Sequence, residues 1–355
     1  MTPFLSARHR DLKPYIPGEQ PQDQAYIKLN TNESPYPPGP GVLAAVSREA
    51  GRAQLYSDPE LLAARQKLAR RYGVKEENVL LTNGSDEALN FIILAYGDKS
   101  HPFAFPDITY GLYPIQCRLY GVPYEEIPLR EDFTVDTEAC ARWEGHLILA
   151  NPNAPTGIAL PREAIRGIAQ KNPRRLVTVD EAYVDFGGES CVPLIHELDN
   201  LLVVQTYSKS RSLAGARLGF IIGPAPLIGD INAVRCSINP YNVNRMSLAA
   251  AAAAIDEDGL YMANCRRIEE TRQWTAQRLA ELGFRVLPSR ANFLFAAPPR
   301  MDGGEYYRRL KARGVLVRHF SSPRTSPFVR ISIGAPEDMQ ALIERTQQIL
   351  KEAQP

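Results

Sequence analysis

Short apolar runs recur along the first two thirds of the chain, and each one ends at a turn or a polar cluster. The runs lie at residues 78–82, 101–105, 147–150, 176–179 and 201–204. Helical stretches lie between them, such as residues 61–72 before Gly73 and 88–96 before Gly97, with Asp58-Pro59 predicting the start of the first. Short, fully apolar strands that alternate with helices predict an α/β protein whose mainly parallel sheet is covered by helices.

The last hundred residues predict a second and smaller α/β unit. A helical stretch at 244–280 precedes strands at 284–287, 291–295, 314–318 and 328–333, with helices at 303–313 and from Pro336. Residues 11–40 are rich in proline and turn formers, which indicates an extended arm. We therefore expect an arm and part of a small domain at 1–34, a large domain at 35–245, and a linker helix with the small C-terminal domain at 246–355.

Composition and charge exclude several classes of protein. The 355 residues carry a net charge of +1, which does not favour nucleic acid or an anionic membrane as a partner. Five scattered cysteines fit neither a zinc knuckle nor a dense disulfide framework, and they suit a reducing compartment. The N-terminus lacks an apolar signal segment. These features predict a cytoplasmic protein without a metal site.

A lysine between hydroxyl residues follows the apolar run at 201–204. Lys209 lies in the segment Tyr207-Ser208-Lys209-Ser210, and Arg217 follows eight positions later. An amine in this setting can form a Schiff base with pyridoxal phosphate, and the serine with the guanidinium can bind a phosphate. The alternative is a solvated basic loop between two strands.

Other polar clusters also fall at predicted strand ends. Gly84, Ser85 and Asp86 lie between a strand and a helix, where main-chain N–H groups bind phosphate, although Ser85 or Asp86 could simply cap the helix. Asp180 ends another strand and Tyr110 follows a third. Because ligands bind outside the carboxyl ends of parallel strands, we expect these residues to meet in one crevice.

Pyridoxal phosphate would give each of these residues a task. Asp180 can keep the pyridine nitrogen protonated, and Tyr183 or an Asn of the 151–157 loop can donate to the ring oxygen. Tyr110 can stack on the ring, although a place in the core is the alternative. Ser85, Ser208 and Arg217 supply a phosphate cup.

Two arginines interrupt apolar strands in the C-terminal unit. In 328–333, Val329, Ile331 and Ile333 share one face while Arg330 lies on the other; Arg318 likewise opposes Val315 and Val317. An arginine in such a strand is costly unless an anion meets it, so both residues are candidate anion ligands. A solvated strand face is the alternative.

Together these motifs resemble the fold-type I pyridoxal-phosphate enzymes and, within them, the histidinol-phosphate aminotransferases. The resemblance covers nearly the whole chain. The matching segments, in order, are Leu29-Asn30-Thr31-Asn32-Glu33-Ser34-Pro35-Tyr36, Thr82-Asn83-Gly84-Ser85-Asp86-Glu87, Asp180-Glu181-Ala182-Tyr183, Ser208-Lys209, Leu213-Ala214-Gly215-Ala216-Arg217-Leu218-Gly219 and Val329-Arg330-Ile331-Ser332-Ile333-Gly334.

The resemblance implies a role for each site residue. Lys209 would be the Schiff-base lysine, Asp180 the pyridinium partner and Tyr183 a donor to the ring oxygen. The remaining implied cofactor ligands are Gly84, Ser85, Asp86, Tyr110, Asn153, Ser208 and Arg217. Arg330 would bind the anionic end of the substrate, helped by Tyr15, Asn32 and Arg318. A homodimer is also implied, in which Tyr56 reaches the neighbouring site.

The sequence departs from the family pattern at two places. Ala154 stands before Pro155-Thr156-Gly157, where the family usually has Asn, so the bond to the ring oxygen falls to Asn153 or Asn151 or is absent. The segment Ser210-Arg211-Ser212 is also unusual, and the sequence assigns no role to Arg211.

The resemblance implies transfer of the amino group from histidinol phosphate to 2-oxoglutarate, a step of histidine biosynthesis. The alternatives are an aminotransferase for aromatic amino acids, a threonine-phosphate decarboxylase, and a non-catalytic binding module on the same fold. The intact Lys209 and Asp180 argue against the last.

Overall fold

The structure is a computed structural model that describes residues 2–353. Met1, Gln354 and Pro355, at the ends of the predicted arm and small domain, lie outside the described residues. The α-helices are α1 (Pro40–Ala50), α2 (Leu62–Tyr72), α3 (Ser85–Tyr96), α4 (Tyr113–Tyr120), α5 (Thr137–Arg142), α6 (Arg162–Lys171), α7 (Ala225–Ile238), α8 (Arg245–Asp256), α9 (Asp258–Glu281), α10 (Gly303–Ala312) and α11 (Pro336–Glu352). The strands are β1 (Ile27–Lys28), β2 (Val79–Thr82), β3 (Phe103–Pro106), β4 (Tyr124–Ile127), β5 (His146–Ala150), β6 (Val177–Asp180), β7 (Leu201–Thr206), β8 (Gly219–Ile222), β9 (Arg285–Val286), β10 (Phe293–Ala297), β11 (Val315–Leu316), β12 (Arg318–His319) and β13 (Val329–Ser332).

A seven-stranded sheet forms the centre of the larger unit, in the order β2-β8-β7-β6-β5-β3-β4. The strands from β7 to β4 are parallel, whereas β8 runs antiparallel to both of its neighbours. Every residue of β2, β3, β6, β7 and β8 is buried, as expected for a sheet covered on both faces. The predicted α/β fold with a mainly parallel sheet is confirmed. Edge strand β4 was not predicted, because its two glutamates interrupt any apolar run.

Two helix boundaries differ from the prediction for identifiable reasons. Helix α2 begins at Leu62, later than the Asp58-Pro59 signal indicates, and the Asp58 carboxylate accepts hydrogen bonds from the N–H groups of Glu60 and Leu62. The predicted helical stretch 244–280 is divided at Glu257 into α8 and α9. The Glu257 carboxylate accepts from the Gly41 and Val42 N–H groups, and so it caps helix α1.

The smaller unit contains an antiparallel sheet in the order β12-β13-β10-β9. Val329, Ile331 and Ile333 are all buried in its core, which confirms the predicted alternation along β13. The strand predicted at 314–318 is divided between two sheets, because β11 pairs with β1 of the N-terminal arm while β12 pairs with β13. This pairing ties the arm to the smaller unit.

None of the helices within residues 2–353 combines the length and the apolar character that crossing a bilayer requires.

Candidate active site

A cavity of about 390 Å³ lies at the carboxyl ends of the central parallel strands. The N-terminal arm, the large sheet and strands β12 and β13 all contribute to its wall. Twelve of the predicted site residues line it: Tyr15, Asn32, Ser85, Asp86, Tyr110, Asp180, Tyr183, Ser208, Lys209, Arg217, Arg318 and Arg330. Polar clusters that are far apart in the sequence therefore meet in one place, as the strand-end argument predicts.

Lys209 lies just beyond the end of β7, and its amine points into this cavity. Its Nζ donates a hydrogen bond to the Thr31 main-chain carbonyl at 3.1 Å. Burial and the nearby Arg330 guanidinium lower the pKa of Lys209 to about 8. A substantial fraction of the amine is then neutral near physiological pH, which is the form that attacks a carbonyl group.

Asp180 ends strand β6, the parallel neighbour of β7. Its Oδ2 accepts a hydrogen bond from the Tyr113 hydroxyl at 2.7 Å, and its Oδ1 accepts from the Ala182 N–H at 3.2 Å. Burial raises the pKa of Asp180 to about 6, although both hydrogen bonds oppose the shift. A buried carboxylate of this kind is stabilised when a cation approaches it, so the position suits a protonated pyridine nitrogen.

The Tyr183 hydroxyl accepts a hydrogen bond of 3.0 Å from Asn32 Nδ2, which crosses from the N-terminal arm. The Tyr183 ring meets Phe293 edge to face, with ring centroids 5.0 Å apart. Burial raises the pKa of Tyr183, so its phenol keeps its proton near neutral pH. Tyr183, at the end of the large sheet, is thus oriented by the arm and the smaller unit.

Asp86 joins the aromatic wall of the cavity to its basic end. Its Oδ1 accepts from the Tyr110 hydroxyl at 3.0 Å, and its Oδ2 pairs with Arg217 at 3.1 Å. Gly84, which does not line the cavity, leaves room for this pair. A Cβ at Gly84 would lie 2.7 Å from the Arg217 guanidinium, and its φ of 88° is also unfavourable for other residues.

The start of α3 supplies an anion-binding cup. Gly84 is the N-cap residue and no side chain caps the helix, so the first N–H groups stay available beside Ser85. A Cβ at Gly219 would lie 2.5 Å from both Gly84 C and Ser85 N, so only glycine allows strand β8 to approach this turn. Ser208 and Arg217 line the same cavity. These donors fit the phosphate of pyridoxal phosphate.

Arg318 and Arg330 occupy directly paired positions on the antiparallel strands β12 and β13. Arg330 donates to the Asn30 carbonyl at 3.0 Å, and its buried Nε has no hydrogen-bond partner in the described part of the chain. Arg318 donates to the carbonyls of Ile16 and Pro17, both at 3.1 Å. Like charges opposite each other destabilise a sheet, so this pair fits an anionic ligand between them.

Neither asparagine that was a candidate donor to the ring oxygen lines the cavity. The amide of buried Asn153 donates to the Ile108 carbonyl and to Thr156 Oγ1, and Asn153 does not line the cavity. Asn151, the other candidate, bonds to the main chain of Leu160 through both ends of its amide. Ala154 lines the cavity instead.

Tyr56, predicted to reach a neighbouring site, is 78% exposed on this chain and stacks on Tyr241, with ring centroids 4.5 Å apart.

Arg211 has a role in holding the fold together. Its side chain is 1% exposed and pairs with Asp185 at 3.1 Å and Asp258 at 2.6 Å. Asp258 begins α9, so this cation joins the lysine loop to the long helix. Arg211 does not line the cavity, so its charge serves these two ion pairs and not the cofactor site.

Sequence reasoning missed several residues that shape the cavity. Tyr113, the first residue of α4, donates a hydrogen bond to Asp180. Its position three residues after Tyr110 is the only sign of this in the sequence. Glu33 lines the cavity and pairs with Lys28 at 2.6 Å. Phe320 lies 5.7 Å below each of the Arg318 and Arg330 guanidinium groups and forms part of the wall.

The chain is similar to known proteins over nearly its whole length. The sequence model of the family described as aminotransferase class I and II matches residues 24–345. Histidinol-phosphate aminotransferase 1 of Bradyrhizobium diazoefficiens is 48% identical over 99% of this chain and 100% of its own length. Histidinol-phosphate aminotransferase 2 of Dechloromonas aromatica is 46% identical over 98% and 99%. The crystal structure of histidinol-phosphate aminotransferase from Sinorhizobium meliloti in complex with pyridoxal-5'-phosphate superimposes with a TM-score of 0.82, at 26% identity, over 91% of each chain.

The lowered pKa of Lys209 predicts an unusual pH dependence for its reactivity. Only the neutral amine reacts with trinitrobenzenesulfonate, so labelling of the cofactor-free protein should rise as the pH passes about 8. An ordinary lysine has its midpoint near pH 10.4. Mass spectrometry of the Lys209 peptide across a pH series measures the midpoint. Arg330→Gln removes a neighbouring positive charge and should raise it. A wild-type midpoint at the ordinary lysine value would contradict this account.

Proposed function

We propose a substrate pair and an assembly for this chain, which belongs to the histidinol-phosphate aminotransferases within the class I and II aminotransferases. The enzyme is a pyridoxal-phosphate-dependent transaminase. It transfers the amino group of L-histidinol phosphate to 2-oxoglutarate, giving imidazole acetol phosphate and L-glutamate. The observation that carries this choice is the pair of facing arginines, Arg318 and Arg330, at a cavity that also holds Lys209.

Lys209, Asp180 and Tyr183 carry the chemistry in this proposal. When bound, the cofactor supplies an aldehyde and a protonated ring that accepts electrons from the substrate Cα. Lys209 Nζ would hold the aldehyde of the cofactor and, as a free amine, would serve as the base that takes the substrate Cα proton. Asp180 holds the proton on the ring nitrogen. Tyr183 would donate a hydrogen bond to the ring oxygen, a task that Asn153 is not positioned to share.

The remaining cofactor ligands hold the phosphate and the ring. Ser85, the N–H groups at the start of α3, Ser208 and Arg217 bind the phosphate. Gly84 gives Arg217 the space to do so, and Asp86 keeps Arg217 and Tyr110 in place through its two oxygens. Tyr110 covers one face of the ring.

Arg330 binds the anionic end of both substrates. Histidinol phosphate offers a phosphate and no carboxylate, while glutamate offers a carboxylate, and a guanidinium fork can bind either group with two hydrogen bonds. Arg318 supports it from the facing strand. Tyr15 and Asn32 line the same cavity and complete the substrate site.

The proposed assembly is a homodimer in which Tyr56 reaches the partner's cavity. Its support is the exposure of several large apolar side chains on one chain, a feature that often marks an interface. These are Leu43, Leu55, Tyr56, Leu62, Ile238, Tyr241 and Leu260. A monomer in sedimentation equilibrium at micromolar concentration would contradict this assembly. We also propose a cytoplasmic location.

We propose that the arm at 1–34 works with the small domain at 246–355, and that 35–245 forms the large cofactor-binding domain. The extent of the two sheets and the pairing of β1 with β11 support this division.

An aromatic aminotransferase is the second candidate, because Tyr15, Tyr110 and Phe320 give the cavity aromatic walls that would also suit a phenyl group. A panel of amino donors against 2-oxoglutarate distinguishes the candidates. Histidinol phosphate should exceed phenylalanine in kcat/KM, because only the former gives the arginine pair a dianion. Preference for phenylalanine, or release of carbon dioxide from O-phosphothreonine, would contradict the proposal.

The shared use of Arg330 predicts that one substitution slows both half-reactions. Arg330→Ala removes a charge-assisted fork and should lower kcat/KM by roughly 100-fold with histidinol phosphate and with glutamate alike. Single-turnover measurements of each half-reaction test this separately. Arg285→Ala, an exposed arginine on β9 of the same sheet, is the matched control and should leave both rates unchanged. An unaffected half-reaction in Arg330→Ala would rule out the dual role.

A further inference from the structure

Asn32 connects the N-terminal arm, strand β13 and Tyr183. It is a buried residue in the left-handed conformation, with a φ of 56°. Its N–H donates to Ser332 Oγ at 2.8 Å, and its carbonyl accepts from Asn292 Nδ2 at 3.0 Å. Its side-chain Oδ1 accepts from Ser332 Oγ at 2.8 Å, and its Nδ2 donates to the Tyr183 hydroxyl at 3.0 Å. Every polar atom of this residue therefore has a partner.

The single proton of the Ser332 hydroxyl determines which way the Asn32 amide faces. Ser332 Oγ already accepts a hydrogen bond from the Asn32 N–H, and it gives its own proton to Asn32 Oδ1. With the amide reversed, two N–H groups would point at Ser332 Oγ, and no other residue of the described chain is recorded to accept the Ser332 proton. The hydroxyl thus holds Oδ1 on its own side and turns Nδ2 toward Tyr183.

The amide orientation in turn determines what Tyr183 can do. Because Asn32 Nδ2 donates to the Tyr183 oxygen, the phenol proton has to be donated elsewhere. Tyr183 lines the cavity, and its hydroxyl donates no hydrogen bond to another residue within 2–353. With the Asn32 amide reversed, the Tyr183 hydroxyl would donate to the amide oxygen and could no longer donate into the cavity.

We propose that Ser332 is a positioning residue which, through Asn32, makes the Tyr183 hydroxyl a hydrogen-bond donor to the ring oxygen of the bound cofactor. This inference rests on the role proposed above for Tyr183. Ser332 lies two residues after Arg330 on β13. The strand that carries Arg330, the proposed ligand of the substrate anion, therefore also carries the residue that orients Tyr183. Arg330 itself bonds to the Asn30 carbonyl, two residues before Asn32.

A pH titration of the visible absorption of the loaded enzyme tests this without measuring turnover. A donor to the ring oxygen stabilises its anionic form and lowers the pKa of the lysine–cofactor linkage. Ser332→Ala should raise that pKa by roughly 0.5–1 unit, the size of one ordinary hydrogen bond. Ser332→Thr keeps the hydroxyl and should restore the wild-type value. Asn32→Asp replaces the donor with an acceptor and should raise the pKa at least as much as Ser332→Ala.

A double-mutant cycle with Tyr183→Phe identifies the route of the effect. If Ser332 acts through Tyr183, Ser332→Ala has no further effect in the Tyr183→Phe background. Ser326→Ala, in the same unit and outside the cavity, is the matched control and should leave the titration unchanged. Two results would overturn the inference and leave the proposed function standing. One is an equal pKa shift from Ser332→Ala in the wild-type and Tyr183→Phe backgrounds. The other is no shift from Ser332→Ala although Tyr183→Phe alone shifts the pKa. No shift in Tyr183→Phe itself overturns both this inference and the role proposed for Tyr183.

Discussion

Two cations, Lys209 and Arg330, share one buried cavity, and two main-chain carbonyls of the N-terminal arm hold them there. Thr31 O accepts from Lys209 Nζ at 3.1 Å, and Asn30 O accepts from Arg330 at 3.0 Å. Burial lowers the pKa values of both cations; the Arg330 guanidinium further lowers the pKa of Lys209, and Arg318 further lowers the pKa of Arg330. As a consequence, the Lys209 amine loses its proton more easily than an ordinary lysine, and it lies near a guanidinium, Arg330, that can bind an anion.

This constraint explains why three distant parts of the chain have to meet. Parallel strands β6 and β7 carry Asp180 and Lys209 to one edge of the large sheet, while β13 carries Arg330 from the smaller unit. The arm passes between them and is anchored by the pairing of β1 with β11. The Lys209 and Arg330 side chains are therefore connected through two adjacent residues of the arm, Thr31 and Asn30.

The sequence predicts most of this site because strand ends and alternation are local signals. The apolar runs before Asp180 and Lys209 and the alternation around Arg330 are visible without the structure. The orientation of a side chain is not a local signal: the Asn153 amide donates to Thr156 in its own loop and to Ile108 after strand β3, and the sequence does not indicate either contact. For the same reason the sequence does not reveal the ion pairs of buried Arg211 or the hydrogen bond from Ser332 to Asn32, because these partners lie far away in the sequence.

The most direct test of the central claim is to identify the residue that binds the cofactor covalently. The protein is loaded with pyridoxal phosphate, reduced with borohydride and digested, and the modified peptide is identified by mass spectrometry. The account predicts the modification on Lys209, with loss of the label in Lys209→Arg. Modification mainly at another lysine, or none at all in a folded and loaded protein, would contradict it.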